Sequence, residues 1–172
     1  MTAAVILSAG CGGGSSNKGA GTAVQVGPRP IVAKEGEFRT VIPRGFANHP
    51  SVAQYWAQGP VENGYPTSVL VVRFPVGKGV PIGTYVHRVL GTFGPLRRRV
   101  HPQPLSVDGE PAFVLDYLLP GTGTLKGVLT HVRQVLVKHG AWVFFIRDLA
   151  LPAQYTASLA ALDEVLSNWR WQ

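Results

Sequence analysis

The sequence has one cysteine and few acidic residues. A single cysteine among 172 residues excludes an intramolecular disulfide and any metal site built from several cysteines. No apolar run approaches the ~20 residues that a membrane-spanning helix requires. Only 9 aspartates and glutamates accompany 16 lysines and arginines, so the net charge is +7. This excess favours anionic partners such as nucleic acid, acidic lipid headgroups or envelope polymers, or it serves solubility alone.

The motifs of common enzyme classes are also missing. No G-x-S-x-G elbow is present, so an α/β-hydrolase triad has no support, and no glycine-rich stretch has the spacing of a Walker loop. Neither H-x-x-x-H nor H-E-x-x-H occurs, so zinc hydrolysis has no support. The histidines that could have formed these motifs are His49, His87, His101, His131 and His139.

Two aspartates lie in or at the end of apolar segments. Asp116 and Asp148 could perform acid–base chemistry if the fold brought them together. The simpler interpretation gives each a structural hydrogen bond or an edge position. We therefore expect no enzymatic activity, no cofactor and no metal, and a cryptic hydrolase is the least favoured function.

The N-terminal residues have the order of a bacterial lipoprotein signal. Leu7-Ser8-Ala9-Gly10-Cys11 follows a short apolar run, precedes a Gly/Ser tract and resembles a lipobox. The resemblance implies cleavage before Cys11, lipidation of its thiol and a lipid-anchored location on the extracytoplasmic side of the cell membrane. Residues 1–10 lack a basic start and are short for a signal peptide, as expected if translation begins further upstream. The alternative is an unstructured N-terminus with an incidental thiol.

A basic run is the most distinctive charged feature of the sequence. Arg97, Arg98 and Arg99 are followed closely by His101. These four residues could bind an anionic lipid or envelope polymer. Alternatively, they form a solvated strand edge that discourages pairing with other chains. Nucleic acid is not expected as a partner, because the run lacks interleaved aromatics and the signal indicates export.

The strongest structural pattern covers residues 128–149. Two apolar arms meet at His139-Gly140, which predicts a β-hairpin. Because the second arm is apolar on both faces, we expect the hairpin at the centre of a sheet covered on both sides. Asp108-Gly109 predicts a second hairpin within residues 95–119. Strands are further predicted over 37–46 and 67–76, the latter central in the sheet.

Helices and loops complete the expected order. Helices are predicted over 81–94 and near the C-terminus, where one apolar stripe has helical spacing. A long loop is predicted over 47–66, with its aromatics Tyr55 and Trp56 more often anchors than binding groups. The C-terminal stripe consists of Tyr155, Leu159, Leu162, Leu166 and Trp169. This order predicts an α+β fold in which helices cover an antiparallel sheet.

The order of elements, together with three strings, resembles the PsbP-like superfamily. The strings are Phe38 with Pro43-Arg44-Gly45-Phe46, Val107-Asp108-Gly109-Glu110-Pro111-Ala112, and Ser167-Asn168-Trp169. The superfamily includes the photosystem II subunit PsbP, Ran-binding import factors and many actinobacterial lipoproteins. The resemblance, over about residues 37–170, implies an antiparallel sheet between helices and a role in binding or assembly. It supplies no catalytic residue.

These observations predict three segments and two leading functions. Residues 1–10 are expected to be a signal peptide, 11–36 a lipidated cysteine with a flexible linker, and 37–172 a PsbP-like domain. The first function is a binding or assembly accessory of the cell envelope with an unidentified protein partner. The alternative is a carrier or receptor that holds a small or lipidic molecule in an apolar pocket between sheet and helix.

Overall fold

The structure is a computed structural model that describes residues 27–49, 53–77, 79–94, 99–120 and 126–172. Within these ranges, neither helix has the length and apolar character needed to cross a bilayer. The elements are β1 (Arg29–Val32), β2 (Phe38–Ile42), β3 (Ala47–Asn48), β4 (Tyr55–Glu62), β5 (Tyr65–Pro75), α1 (Ile82–Thr92), β6 (Gln103–Val107), β7 (Glu110–Pro120), β8 (Leu129–His139), β9 (Trp142–Ala150), a 3-10 turn (Pro152–Gln154), α2 (Tyr155–Ser167) and β10 (Arg170–Trp171).

Seven strands form one antiparallel sheet, in the order β3-β4-β5-β9-β8-β7-β6. The hairpin β8–β9 lies at its centre, as its two apolar faces predicted. Val135 opposite Ile146 faces α2, whereas Leu136 opposite Phe145 faces α1. The strand predicted over 67–76 is β5, which pairs with β9. The α+β prediction of an antiparallel sheet flanked by helices is therefore confirmed.

The second predicted hairpin is formed by β6 and β7. Asp108 and Gly109 both have positive φ, 46° and 84°, and they turn the chain between Val107 and Glu110. Positive φ at both central positions is typical of the tight turns that suit the twist of paired strands. The Asp-Gly signal was therefore read correctly.

The long loop predicted over 47–66 is wrong. The described residues of this range include β3, all of β4 and the start of β5, and Tyr55 and Trp56 lie at the start of β4. Pro60 is tolerated there because the register shifts between Gln58 and Val61, a β-bulge that does not need its amide. The anchoring role expected for Tyr55 is confirmed, since its buried hydroxyl donates to the carbonyl of Val41 at 2.9 Å.

The two helices lie on opposite faces of the sheet. From α1, Val86 and Leu90 pack with Leu115 and Leu136, on the β7–β8 side. The helix α2 covers β9, β5 and β2. The apolar stripe predicted for this helix is rotated away from the face that is buried, as the half-buried side chains of Leu159 and Leu166 show. The side chains buried most deeply in this segment are Ser158, Ala161, Leu162, Val165 and Trp169.

A small sheet, β1-β2-β10, closes the α2 face. Trp169 follows α2, is fully buried and stacks on Phe38 with ring centroids 3.8 Å apart. Strand β1 pairs with β2 along four residues. The linker expected over residues 11–36 therefore contains a strand of the folded domain at 29–32, where an edge position tolerates Pro30.

Candidate functional site

An open groove lies between α2 and one end of the large sheet. Its volume is about 570 Å³. One wall is the helix face formed by Ala157, Ala160 and Ala161, and the opposite wall includes Phe46 and Pro60. Small side chains on a helix keep such a groove open, because a methyl group fills little of the space that a leucine would occupy. We call this cavity the α2 groove.

The shape of the α2 groove depends on Gly59. A Cβ atom at this position would lie 2.6 Å from the ring of Phe46, closer than real Cβ atoms approach other carbons. The bulge after Gln58 therefore brings the backbone of β4 directly against the aromatic ring. Gln154 donates to the carbonyl of Pro60 at 3.4 Å and joins the N-terminal end of α2 to the same bulge.

A charged row crosses the sheet under the beginning of α2. Asp116 on β7, Arg133 on β8 and Asp148 on β9 are direct cross-strand neighbours. The Arg133 guanidinium binds both carboxylate oxygens of Asp116, at 2.7 and 2.9 Å. From α2, the Tyr155 hydroxyl donates to Asp116 at 3.0 Å, and Ser158 donates to Asp148.

Burial determines the acidity of two groups in this row. The fully buried Asp148 has its pKa raised from 3.8 to about 6, chiefly by loss of solvation, although Ser158 and Arg133 oppose the shift. Its Oδ2 atom has no hydrogen-bond partner. Burial and the neighbouring Asp116 carboxylate raise the pKa of the Tyr155 hydroxyl to about 12, so the tyrosine remains a proton donor.

The row brings Asp116 and Asp148 together but gives them structural partners. Asp116 is engaged by Arg133 and Tyr155, and the His131 ring stacks on Tyr155 with centroids 4.3 Å apart. Neither the α2 groove nor the smaller cavity under α1 is lined by Asp116, Asp148 or His131. No group of three or more potential metal ligands occurs among the described residues. The arrangement supports the structural interpretation of both aspartates.

The residues predicted as a site are only partly described. Cys11, Arg97 and Arg98 lie outside the described residues, so lipidation and most of the basic run stay predictions. Arg99 and His101 are exposed on the connection between α1 and β6. The intervening Val100 is buried against α1 and anchors this connection.

Sequence reasoning missed the residues that form the α2 groove. Alanines recur at helical spacing beside the leucine stripe, at position 153 in the 3-10 turn and at positions 157, 160 and 161 in α2. A stripe of small residues is a weak signal because alanine also favours helices in general. A stronger signal was also missed: Asn63-Gly64 indicates the turn of the β4–β5 hairpin. Both residues have positive φ there and connect β4 to β5.

Comparison with known proteins shows the fold. No family model matches the sequence, and no curated protein matches it as a relative. The solution structure of cyanobacterial PsbP, called CyanoP, from Synechocystis sp. PCC 6803 matches with a TM-score of 0.58 and 10% identity, over 90% of this chain and 98% of CyanoP. The chain has the PsbP-like fold.

A second structural match is LpqN of Mycobacterium tuberculosis, described as involved in cell envelope biogenesis. It matches with a TM-score of 0.63 and 13% identity, over 84% of this chain and 90% of LpqN. Identities this low establish the shared fold and leave function open.

The strings that carried the PsbP-like resemblance meet around the C-terminal residues. Phe38 stacks on Trp169, and Asp108 accepts a hydrogen bond from the backbone amide of Trp171 at 2.8 Å. The His139 ring stacks on Trp171 and lies 3.1 Å from a carboxylate oxygen of Glu110. The strings therefore fasten both long hairpins and β2 to the end of the chain.

Proposed function

We propose that the protein is a lipid-anchored, extracytoplasmic binding or assembly accessory of the cell envelope that performs no catalysis. The fold shared with LpqN and the lipobox-like string ending at Cys11 support the location. The structural roles of Asp116 and Asp148 support the absence of catalysis. The observation that carries the binding role is the α2 groove, an open cavity without a catalytic arrangement along its walls.

The α2 groove supports the alternative function, a carrier or receptor form of the protein that holds a small or lipidic molecule between sheet and helix. Its volume of about 570 Å³ lies within the ~300–1,000 Å³ typical of small-molecule sites. Alanines, Phe46 and Pro60 supply apolar walls, and Thr67, Gln154 and Ser158 supply a few polar groups. The charged residues Arg44 and Glu164 complete the lining. Such a lining suits an apolar or amphipathic small molecule that lies along the helix. The envelope offers such molecules in the acyl chains of its lipids.

The anchor is tested by acylation in a bacterial host. The gene is expressed with its upstream coding region, and the wild type is compared with Cys11→Ser. We expect acyl chains on the wild type and its recovery with membranes, and neither for the variant. A wild-type chain that is not acylated and stays out of the membrane fraction would refute the proposed location. If the wild type is acylated and membrane-bound, affinity capture of the acylated protein from envelope membranes would identify its protein partner.

The groove is tested with N-phenyl-1-naphthylamine, an uncharged fluorophore that brightens in apolar sites. We expect the purified protein to increase its fluorescence. Ala157→Phe, which fills the groove, should abolish the increase, whereas Thr156→Phe adds the same ring at an exposed position of α2 that does not line it. No increase with the wild type, or equal losses with both variants, would overturn the carrier form.

A further inference from the structure

A second cavity of about 250 Å³ lies on the other face of the sheet, under α1. Arg88 and Thr92 of α1 line it on one side. Arg147 on β9 and Gln134 on β8 line it on the other, where they are direct cross-strand neighbours. We call this cavity the α1 pocket. It is separate from the α2 groove because the two lie on opposite faces of the large sheet and are lined by different strands.

Gln134 lines the α1 pocket and has a buried side-chain amide without an acceptor. Its Oε1 atom accepts from Arg147 Nε at 3.0 Å, from Arg147 Nη2 at 2.8 Å and from the Tyr117 hydroxyl at 2.9 Å. Three donors saturate this oxygen. The side chain is only 1% exposed, and its Nε2 atom has no acceptor. A buried amide left without an acceptor is costly in a folded protein unless a bound group satisfies it.

The positive charge around the α1 pocket is uncompensated. Among the described residues, no carboxylate lies within ion-pair distance of Arg88 or Arg147, and no aspartate or glutamate lines the pocket. Two hydrogen bonds to Gln134 hold the half-buried Arg147 guanidinium in place. Its Nη1 atom makes no hydrogen bond among the described residues. The Arg88 guanidinium lies 5.2 Å from the centre of the Tyr85 ring, without an anionic partner in the described part of the chain. Two arginines and one amide without an acceptor therefore line a space that holds no negative charge.

The remaining wall of the pocket is apolar and consists of Val89, Phe93 and Phe145. A ligand that fits must combine an anionic group with an apolar portion. Two guanidinium groups carry a charge of +2, which matches the roughly −1.5 to −2 of a phosphate monoester at neutral pH. A carboxylate would neutralise only half of this charge.

We propose that the α1 pocket binds a phosphate monoester that carries a small apolar group. Arg147 and Gln134 hold the phosphate from the sheet, and Arg88 closes on it from the helix. The apolar portion lies against Phe93 and Phe145. The phosphate can belong to a soluble ester or to a lipid headgroup, because a volume of about 250 Å³ accommodates the headgroup and not the acyl chains.

The first test follows side-chain NH signals by NMR. Phenyl phosphate is titrated into the ¹⁵N-labelled protein, with inorganic phosphate and phenol in separate titrations. We expect phenyl phosphate to shift the Gln134 amide and the Arg147 Nε–H signals and to bind more tightly than inorganic phosphate. Phenol should bind far more weakly, because it leaves both guanidinium groups unpaired. Unchanged Gln134 and Arg147 signals with phenyl phosphate would overturn the proposal.

Variants separate the α1 pocket from general surface charge. Arg147→Gln and Arg88→Gln should each weaken phenyl phosphate binding about tenfold, the loss typical of one charge-assisted contact. Arg39→Gln removes the same charge from an exposed position of β2 and should leave the affinity unchanged. Equal weakening by Arg39→Gln would overturn the proposal. Arg88 is exposed on α1, so its variant is informative even if Arg147→Gln fails to fold.

Vesicles distinguish the two sources of the phosphate. Flotation with phosphatidylcholine vesicles containing phosphatidic acid is compared for Cys11→Ser, which has no acyl anchor, and for the same protein with Arg88→Gln added. A loss of vesicle binding in the variant assigns the phosphate to a lipid headgroup. Unchanged vesicle binding, together with weakened phenyl phosphate binding, assigns it to a soluble ester. If Arg88→Gln weakens neither vesicle binding nor phenyl phosphate binding, the proposed site is refuted.

Discussion

The two faces of the central hairpin treat charge in opposite ways. Arg133 and Gln134 are consecutive on β8, and Arg147 and Asp148 are consecutive on β9. Because side chains alternate along a strand, Arg133 and Asp148 face α2, whereas Gln134 and Arg147 face α1. On the α2 face, Asp116 and Asp148 compensate Arg133. On the α1 face, the partner that Arg147 has among the described residues is a neutral amide.

The two faces also differ in how completely their aromatic side chains are buried. On the α2 face, Trp169, Phe38 and Phe144 are fully buried. On the α1 face, Phe93 and Phe145 are only half-buried. The α2 face therefore carries most of the stability, whereas the α1 face leaves aromatic and cationic groups within reach of a ligand. The following predictions test this division.

Removing the central aromatic of the α2 face should have the largest effect. Trp169→Ala is expected to lower the free energy of unfolding by about 3–5 kcal/mol, because it leaves a large cavity beside Phe38. Phe93→Ala on the α1 face should lower it by about 1 kcal/mol, since that ring is already half-exposed. Urea denaturation measures both. Equal losses would show that the two faces contribute alike.

Asp148 should make the stability of the α2 face depend on pH. Between pH 3.8 and about 6 the folded protein keeps a proton that the unfolded chain has released. The free energy of unfolding should therefore fall by about 3 kcal/mol in total as the pH rises through this interval. Above the interval, Asp148 should contribute no further change.

The Asp148→Asn variant isolates this contribution. Its free energy of unfolding should lack the fall between pH 4 and pH 6, because residue 148 no longer titrates. Urea denaturation at several pH values, taken as the difference between wild type and variant, cancels the other carboxylates. Parallel pH profiles for the two proteins would contradict the prediction.

Charge removal should affect the two faces differently. Arg133→Gln is expected to lower the free energy of unfolding at pH 7 by about 1–2 kcal/mol, because it leaves Asp116 and Asp148 without a cation. This range allows for solvent screening of a pair that is about one-third exposed. Arg147→Gln should cost less than half as much, because its partner is neutral.

The pH dependence of the Arg133→Gln defect is a second signature. Part of the loss should be regained at pH 5, where Asp148 holds its proton and no longer needs a cation. Urea denaturation of both arginine variants at pH 5 and pH 7 gives the comparison. A larger loss for Arg147→Gln than for Arg133→Gln would reverse the assignment of the compensated face.

Glycine substitutions should have the smallest effects and opposite signs. Gly59→Ala is expected to lower the free energy of unfolding by about 1 kcal/mol, because its methyl group meets the Phe46 ring. Gly83→Ala, in α1 with open space around it, should raise it by about 0.5–1 kcal/mol. Thermal unfolding measures both shifts. If Gly59→Ala leaves the free energy of unfolding unchanged, the Phe46 ring moves away at little cost and this wall of the groove is easily deformed.

Much of the fold followed from local patterns in the sequence. The hairpins at 128–149 and 95–119 were predictable because an apolar alternation and a turn residue agreed with each other. Strand β4 was missed because Gly59-Pro60 interrupts its pattern, and only the bulge makes that pair acceptable. The apolar stripe of α2 was placed about one residue off because Ser158 is buried by its partner Asp148. A buried polar pair is not visible in a hydrophobic pattern.

The candidate sites were much less accessible to sequence reasoning. Arg147 and Gln134 stand 13 positions apart, and each has a charged neighbour, Asp148 or Arg133, that points to the opposite face. Arg88 comes from α1, a separate element that packs on the same face of the sheet. The run that did stand out, Arg97-Arg98-Arg99, is distinctive only because its charges are consecutive.

Sequence patterns were enough to predict β2, β5, the strands and turns of two hairpins, and two helices that cover apolar surfaces. These features depend on interactions between neighbours in the chain, so periodicity and turn residues reveal them. The tertiary structure alone decided which charges are compensated and where cavities remain. Those properties depend on which distant residues the strand register places side by side, and a shift of one residue would exchange the two faces.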